Sequence, residues 1–530
     1  MKYKETSILI LLWGLLYFPY IIHGGMLGDD AGLLITPNST NSLGYWSYQW
    51  SMSSQLTMTA RPLSAILHGL CNWFFGLHYW AYHFVNLTLF LCSILLFYLS
   101  IKQIFSLEVG FLASLLALVY PCASSTVFSS IMMNSNLAAL FWSAALYSST
   151  KIFNFKYFVI TVLLFLSCIS YEAFIPLFIL NIASGVIFLK KRLNYKVFLI
   201  EAIPSVIAIS IFGVYRVFIE QIIFNTHFSR IKIPSFDNTL YKLFLSLDNG
   251  IKIALFDSIE ISFRALRNID LLSMPHLTLA TVVLSFISYW LYKAIIKLSN
   301  KNNSYGDFLF IFYKKRINNF NKIIFWFLPV IFFLGSHLTY VFSYYYPDSS
   351  GFENRTLGAI RFTTALAATF IYITLYHLLN QTYRQFAALV LVVFFIFFSM
   401  SMIGQREAWI TAANFNDSNI SKINAAIYKQ GIQNNKEITL VAMLPDNFHG
   451  QVNKEPILFE AWDLTNLLSL SNPSINIKAN VNTPATTVDS VKVTLHRYWQ
   501  ALYPFWLYNY RTEKLYLISS EKNWSDIVNK

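Results

Sequence analysis

Ser7–Ala31 reads SILILLWGLLYFPYIIHGGMLGDDA, an apolar run that ends in two adjacent aspartates. The part Ser7–Ile22 carries no charge, and its length is close to the roughly 20 apolar residues that a membrane-spanning helix needs. Asp29 and Asp30 come seven and eight residues after its end, at the expected boundary of the membrane. Because carboxylates at such a boundary are costly to keep, their position indicates a functional role.

The composition of the whole chain supports a multi-pass membrane protein. Of its 530 residues 56% are hydrophobic and only 12% are charged, about half the charged share of a soluble domain. The formal net charge is +13, but the cations lie in short loops between apolar runs. That pattern favours membrane topology over nucleic-acid binding. The four cysteines have neither metal-ligand spacing nor a disulfide pattern.

Apolar runs predict about eleven spans, and the first is expected to be retained because it lacks a small-residue cleavage site. The predicted spans are Ser7–Ile22, Trp80–Ser100, Val109–Tyr120, Ser130–Ser149, Tyr157–Ser170, Phe174–Leu189, Val197–Tyr215, Leu277–Ile296, Ile323–Phe342, Thr363–Leu379 and Phe386–Met402.

Lysines and arginines concentrate in alternate loops, which predicts a cytoplasmic N-terminus. Asp29 and Asp30 then lie outside, as do two outer loops, 24–79 and 216–276. We therefore expect a transmembrane domain over residues 1–403 and a soluble domain over 404–530 on the outer side.

The polar C-terminal part predicts a small α/β domain. Ile420–Gln430 has the apolar spacing of an amphipathic helix, while Ile438–Leu444, Val491–Leu495 and Leu515–Ile518 have the character of strands. Five of the aromatic residues in Tyr498–Tyr510 are expected to dock this domain on the membrane, and the alternative is that they stack on the sugar faces of the acceptor: Trp499, Tyr503, Trp506, Tyr508 and Tyr510.

The first outer loop contains a second notable segment, Arg61-Pro62-Leu63, followed by an amphipathic stretch. In that stretch Ile66, Leu70 and Trp73 share one helical face, which predicts a helix lying flat on the outer surface. A further span, which contains His83, comes next.

An acidic motif after the first span, an interfacial helix in the first outer loop, many spans and an outer C-terminal domain together resemble the GT-C superfamily of membrane glycosyltransferases. Within it, Gly28-Asp29-Asp30 and Arg61-Pro62-Leu63 are most similar to bacterial serotype-converting O-antigen glucosyltransferases, which use polyprenyl-phosphate sugars. The residue-level similarity covers about the first ninety positions.

The resemblance implies a protein of the bacterial inner membrane with a periplasmic C-terminal domain. Its expected activity is transfer of a sugar, glucose in the relatives it resembles, from a polyprenyl phosphate to a lipid-linked O-antigen or related surface glycan. A donor synthase and a flippase would supply the lipid-linked sugar. The same resemblance implies no metal and no other cofactor.

The acceptor hydroxyl must lose a proton during such a transfer, and a carboxylate is suited to accept it. Asp29 or Asp30 is the predicted base; the alternative is that the pair caps a helix beginning near Ala31. Glu172 lies in a very short outer turn. There it either assists the base and orients the acceptor or is an ordinary polar turn residue.

The phosphate leaving group calls for cations, and arginine suits bidentate phosphate contacts. The predicted substrate-binding residues are Arg61, Arg216, His83, Arg355 and Arg361. Further candidates for the phosphate are Arg230, Lys232, Arg264 and Arg267. The alternative for each arginine is a role as an anchor at the membrane interface.

Two other functions remain open on the sequence. An O-antigen polymerase has a similar number of spans, and the segment 216–276 is compatible with the long arginine-bearing loop expected of it. A transporter of lipid-linked sugars is less well supported, because the predicted spans are almost free of charge and show no internal repeat.

Overall fold

The computed structural model describes residues 4–28, 30, 61–188, 195–219, 236–267, 269, 280–290, 292–293, 333–341, 345–432, 437–445, 448–457, 461–472, 475–482 and 504–519. Asp29 lies outside the described residues, as do Arg230, Lys232 and the predicted strand Val491–Leu495.

Helices make up most of the described chain. They are α1 (Lys4–His23), α2 (Pro62–Phe75), α3 (Tyr79–Ile104), α4 (Leu107–Leu118), α5 (Met133–Ser149), α6 (Lys156–Ser170), α7 (Phe178–Phe188), α8 (Tyr195–Val214), α9 (Phe236–Lys252), α10 (Ser258–Arg267), α11 (Ala280–Trp290), α12 (Ile360–Leu378), α13 (Gln381–Lys429) and α14 (Ala461–Ser471).

Four described helical segments are long and apolar enough to cross a membrane, namely Lys4–His23, Tyr79–Ile104, Lys196–Phe218 and Tyr383–Lys429. A fifth crossing results if the bent pair Gly351–Leu357 and Ile360–Tyr376 forms one span. Shorter apolar helices occupy most of the other predicted spans, while Ile323–Phe342 lies largely outside the described residues. The chain is therefore a multi-pass helical membrane protein.

Helix α3 lies at the centre of the helical domain and packs against α1, α4 and α5, while α5 packs against α6. The shared core is rich in aromatic rings: Trp142 of α5 lies 5.9 Å from Phe97 of α3 and 5.3 Å from Phe362 of α12, measured between ring centroids. Edge contacts of this kind add to the stability gained from burial.

Helix α1 contains Pro19, which has no N–H to donate to the carbonyl of Leu15. The buried guanidinium of Arg406, on α13, replaces that donor. Its Nη1 lies 3.0 Å from the carbonyl oxygen of Leu15 and 3.2 Å from that of Leu16, and its Nη2 pairs with Glu407 at 2.6 Å. A buried cation therefore completes the hydrogen bonding of the first span.

In the described C-terminal residues, four strands form a sheet in the order β2-β1-β3-β4. The strands are β1 (Glu437–Met443), β2 (Asn476–Asn482), β3 (Phe505–Asn509) and β4 (Lys514–Ile518). Strands β2 and β3 pair parallel to β1, and β4 pairs antiparallel to β3. One face of the sheet packs on α14 and on the last turns of α13.

Helix α13 runs through the predicted boundary at residue 403 without a break, so the membrane domain and the sheet share one helix. The predicted helix Ile420–Gln430 is its final part. Strand β3 occupies the region where we expected aromatic side chains to dock on the membrane. Tyr508 is fully buried within the core of the sheet, which corrects that expectation for this residue, while Trp499 and Tyr503 lie outside the described residues.

Candidate active site

Asp30 lies seven residues beyond the end of α1, and a set of directed hydrogen bonds holds its carboxylate. Oδ1 accepts from the hydroxyl of Ser129 at 2.7 Å and from the backbone N–H of Ile131 at 2.8 Å. Oδ2 accepts from the backbone N–H of Leu27 at 3.4 Å. The side chain is fully buried, so water does not solvate the ionised form.

Burial raises the pKa of Asp30 to about 7, although its hydrogen bonds to Ser129, Ile131, Ser130 and Leu27 favour the charged form. A carboxylate with a pKa near neutrality can both hold and release a proton under physiological conditions. Asp30 is therefore chemically suited to act as a general base.

The segment that supports Asp30 is itself held in place by asparagines. The amide of Asn86, on α3, donates to the carbonyls of Ser129 at 3.0 Å and Val127 at 3.2 Å, and Asn136 donates to Oδ1 of Asn86 at 2.7 Å. Farther along the chain, Asn354 accepts from the backbone N–H of Ser125 at 2.8 Å. These contacts fix the donors that surround the carboxylate.

His83 belongs to the same group of residues. Its Nδ1 lies 2.8 Å from the hydroxyl of Ser130, the residue between the two direct partners of Asp30. Its ring lies 4.8 Å from that of Tyr20, near the end of α1. His83 is fully buried inside the helical domain, so it contacts the candidate site from the interior side.

A second charged group contains Arg61 and Glu172. Arg61 immediately precedes α2, whose first residue, Pro62, suits that position. Its Nε lies 3.0 Å from Oε2 of Glu172 and its Nη2 lies 2.8 Å from Oε1, a bidentate pair. The guanidinium also stacks 4.3 Å above the ring of Tyr171. Glu172 and Tyr171 thus both orient the Arg61 guanidinium, and its Nη1 takes no part in the ion pair with Glu172.

Burial alone would raise the pKa of Glu172, but Arg61 and, to a lesser degree, Arg216 outweigh it and lower that pKa to about 2. Glu172 is consequently ionised throughout the physiological range and is a poor proton acceptor. Arg216, which lies just after α8 in the turn 215–219, adds a second cation on the same side.

Arg355 lies near both groups, because it acts electrostatically on Tyr171 and packs on Phe352. Its guanidinium carbon lies 4.2 Å from the centroid of the Phe352 ring, and it pairs with Glu353 at 3.3 Å. The same ring also lies beside Gly28, where an added Cβ would lie 3.4 Å from Cδ2 and Cε2 of Phe352 and where φ is +59°. Glycine at this position therefore brings the Asp30 loop close to Arg355.

Helix α2 joins the same two groups at its opposite ends. Arg61 pairs with Glu172 at its start, while Cys71, near its end, packs with Met26 and Met133, which flank the Asp30 loop and its supporting segment. Leu467 and Leu470 of α14 pack on this same cluster, so the C-terminal part covers the end of α2.

The remaining predicted residues lie in different surroundings. Arg361 is buried, donates from Nη2 to the carbonyl of Ala123 at 2.6 Å and stacks 4.7 Å over Phe90. Arg264 is exposed and pairs with Glu260 on α10. Of the predicted site residues, the structure thus joins Asp30 with His83, and Arg61 with Glu172, Arg216 and Arg355.

Sequence reasoning missed the residues that support Asp30, above all Ser129, Asn86 and Asn354. A signal was present: Cys122–Asn136 is CASSTVFSSIMMNSN, an unusual concentration of hydroxyl and amide groups between apolar helices. Among the described residues, no group of three or more His, Cys, Asp or Glu side chains lies close enough together to hold a metal ion.

No protein-family profile matches this sequence, and no curated protein does. Among solved structures, the chain is similar to ArnT from Cupriavidus metallidurans, determined with undecaprenyl phosphate bound. The TM-score is 0.36 and the sequence identity 11%, over 96% of this chain and 93% of the other. At that TM-score the similarity carries no inference about chemistry, which rests on the side chains of this protein.

Proposed function

We propose that this protein is a glycosyltransferase of the GT-C type that moves a sugar from a polyprenyl phosphate to a lipid-linked glycan. The observation that carries the proposal is a buried carboxylate of near-neutral pKa, Asp30, whose loop contacts the Phe352 ring on which Arg355 packs, while Arg61 and Arg216 lie at Glu172 at the same end of the helical domain. A base and an anion-binding group side by side suit transfer with a phosphate leaving group.

In the proposed reaction the acceptor hydroxyl oxygen attacks the anomeric carbon of the donor sugar. The bond from that carbon to the phosphate oxygen breaks, and its electron pair leaves with the polyprenyl phosphate. Asp30 takes the hydroxyl proton. The arginines stabilise the negative charge that develops on the phosphate, as preorganised cations do in a buried site.

Glu172 has a different task in this scheme. Because Arg61 holds it as an ionised carboxylate, it orients the guanidinium toward the phosphate and accepts no proton. His83 positions Ser130, and through it the segment that binds Asp30. Arg361 fixes the carbonyl of Ala123 at the start of that segment.

The finer assignments are part of the same proposal. Glucose is the expected sugar and O-antigen the expected acceptor, with Asp30 and the C-terminal sheet on the periplasmic side of the inner membrane and the N-terminus in the cytoplasm. The lipid-linked donor requires a synthase to make it and a flippase to bring it to that side. Asp29 remains the alternative base.

The test is sugar incorporation into surface polysaccharide in cells that express the wild type, Asp30→Asn or Asp29→Asn at matched membrane levels. We expect Asp30→Asn to abolish incorporation. Glu108→Gln, which changes an acid in the first turn of α4, serves as the control. Full activity of Asp30→Asn would overturn the assignment of the base, and loss of long polymer without loss of a side-branch sugar would point to the polymerase.

A further inference from the structure

Two buried tyrosines lie one turn apart on α1 and differ in what their hydroxyls contact. Tyr17 donates to the carbonyl of Leu118 at 2.5 Å. Among the described residues, none hydrogen-bonds to the hydroxyl of Tyr20, although its side chain is fully buried. Buried polar groups in folded proteins nearly always have a partner, so an unpartnered phenol calls for an explanation.

The location of Tyr20 explains why its hydroxyl has no described partner. Its ring lies 4.8 Å from that of His83 and 4.8 Å from that of Phe128. His83 bonds Ser130, and the neighbours of Ser130 on both sides bind the carboxylate of Asp30. The unpartnered hydroxyl therefore belongs to a side chain that packs directly on the residues holding the candidate base.

The position of the Tyr20 ring leaves no room for a side chain at residue 24. A Cβ added at Gly24 would come within 2.8 Å of Cε1 and Cζ of Tyr20. Only glycine lets the loop that leads to Asp30 pass so close to the phenol. The loop and the ring are thus fitted to each other, while no described residue hydrogen-bonds the hydroxyl.

We propose that the hydroxyl of Tyr20 hydrogen-bonds a carbohydrate hydroxyl bound beside Asp30. A phenol both donates and accepts, which matches the two capacities of a sugar hydroxyl. The inference deepens the proposed glycosyltransferase function and rests on it. The hydroxyl it binds belongs either to the acceptor glycan or to the donor sugar, and the kinetic parameters separate these two sources.

The experiment compares Tyr20→Phe with Tyr17→Phe in the full-length protein. Each variant loses one hydroxyl and keeps its ring, so packing is matched. Sugar transfer and thermal unfolding in detergent are measured for both variants, for the wild type and for Asp30→Asn. A rise in KM for one substrate alone identifies that substrate as the ligand of Tyr20.

We expect opposite results for the two tyrosines. Tyr20→Phe should lower kcat/KM about tenfold, the scale of one hydrogen bond, with an unfolding temperature equal to or above that of the wild type. Tyr17→Phe should unfold at a lower temperature, because the carbonyl of Leu118 loses its donor, and should keep its rate of transfer.

Two results would overturn the proposal. One is transfer by Tyr20→Phe at the wild-type rate while Asp30→Asn is inactive, which leaves the proposed function standing. The other is an unfolding temperature of Tyr20→Phe below that of the wild type, which reveals a structural partner of the hydroxyl. A wild type that transfers no sugar contradicts the proposed function instead, and the unfolding comparison still decides the role of Tyr20.

Discussion

Asp30 and Glu172 are two carboxylates near the same end of the helical domain, and their surroundings shift their pKa values in opposite directions. Burial raises the pKa of Asp30 to about 7, whereas Arg61 lowers that of Glu172 to about 2 against the effect of burial. Such a separation is typical of sites in which one acid exchanges a proton and the other holds a charge.

The pH dependence of transfer follows from these values. The base must be ionised, so kcat/KM should rise with pH along a limb with its midpoint near 7. Ser129→Ala removes a hydrogen bond that favours the ionised form, so the midpoint should move to higher pH, while Ser129→Thr should restore it. A midpoint near 4 in the wild type would contradict the assignment of Asp30.

Stability should respond to Asp30 as well. Because its pKa in the folded protein lies above the ordinary value of 3.8, the protein loses stability as pH rises from about 4 through about 7. Asp30→Asn removes this titration. We expect the variant to be more stable than the wild type at pH 8, by at most about 4 kcal/mol, and by much less at pH 5. Thermal unfolding at both pH values checks this, and a difference independent of pH would refute it.

Glu172→Gln should lower the free energy of unfolding, because the largely buried guanidinium of Arg61 then lacks its charged partner. The expected loss is on the order of 2 kcal/mol, together with a higher KM for the lipid-linked donor. The exposed pair Lys422–Glu513, at 2.8 Å, offers a matched control. Glu513→Gln should change stability by less than about 0.5 kcal/mol. Equal effects of the two variants would show that Glu172 does not orient Arg61.

At the scale of the elements, α1 and α13 meet in the contact between Pro19 and Arg406. The proline leaves the carbonyl of Leu15 without its helical donor, and the arginine donates in its place. Farther along, Gly25 approaches Ala413 so closely that an added Cβ would lie 2.7 Å from the Ala413 Cβ. Helix α13 therefore sets the direction in which α1 leads into the Asp30 loop.

A double-mutant cycle tests this contact. Arg406→Met should destabilise the protein by about 1–3 kcal/mol, because buried carbonyls lose a donor. Pro19→Ala restores an N–H to the helix, so the double variant should recover about 1 kcal/mol of that loss. Unfolding free energies of the four proteins give the coupling, and strictly additive effects would count against the proposed replacement.

For the whole molecule, the sequence predicted local elements better than it predicted contacts. Apolar runs predicted α1, α3 and strand β1 within a few residues, because burial in lipid or in a sheet leaves a continuous apolar pattern. Strand β3 was read as a membrane-docking segment, since aromatic residues favour both strands and interfaces. Strand β2 was missed because asparagine, which is depleted in strands, occupies three of its seven positions.

The site shows the same division. The sequence predicted Arg61 and Glu172 separately, from their places beside spans, but their ion pair joins positions 111 residues apart. Likewise the donors that hold the carboxylate of Asp30, Ser129 and Ile131, lie about 100 residues away in the chain. Contacts between distant segments follow from tertiary packing, which one sequence read locally does not contain.

The continuous helix α13 has a consequence for the spacing of the two halves. Its 49 residues extend for about 73 Å at 1.5 Å per residue, more than twice the roughly 30 Å thickness of the hydrocarbon layer. It contacts α1 at Arg406, the loop after α1 at Ala413, and the sheet at Ile423 and Ile427. The helical residues between Ala413 and Ile423 therefore fix the distance and the rotation between these two sets of contacts. Removing a single residue there turns the sheet by about 100° relative to α1, which separates Leu467 and Leu470 from the cluster beside Asp30 without altering any side chain of the site.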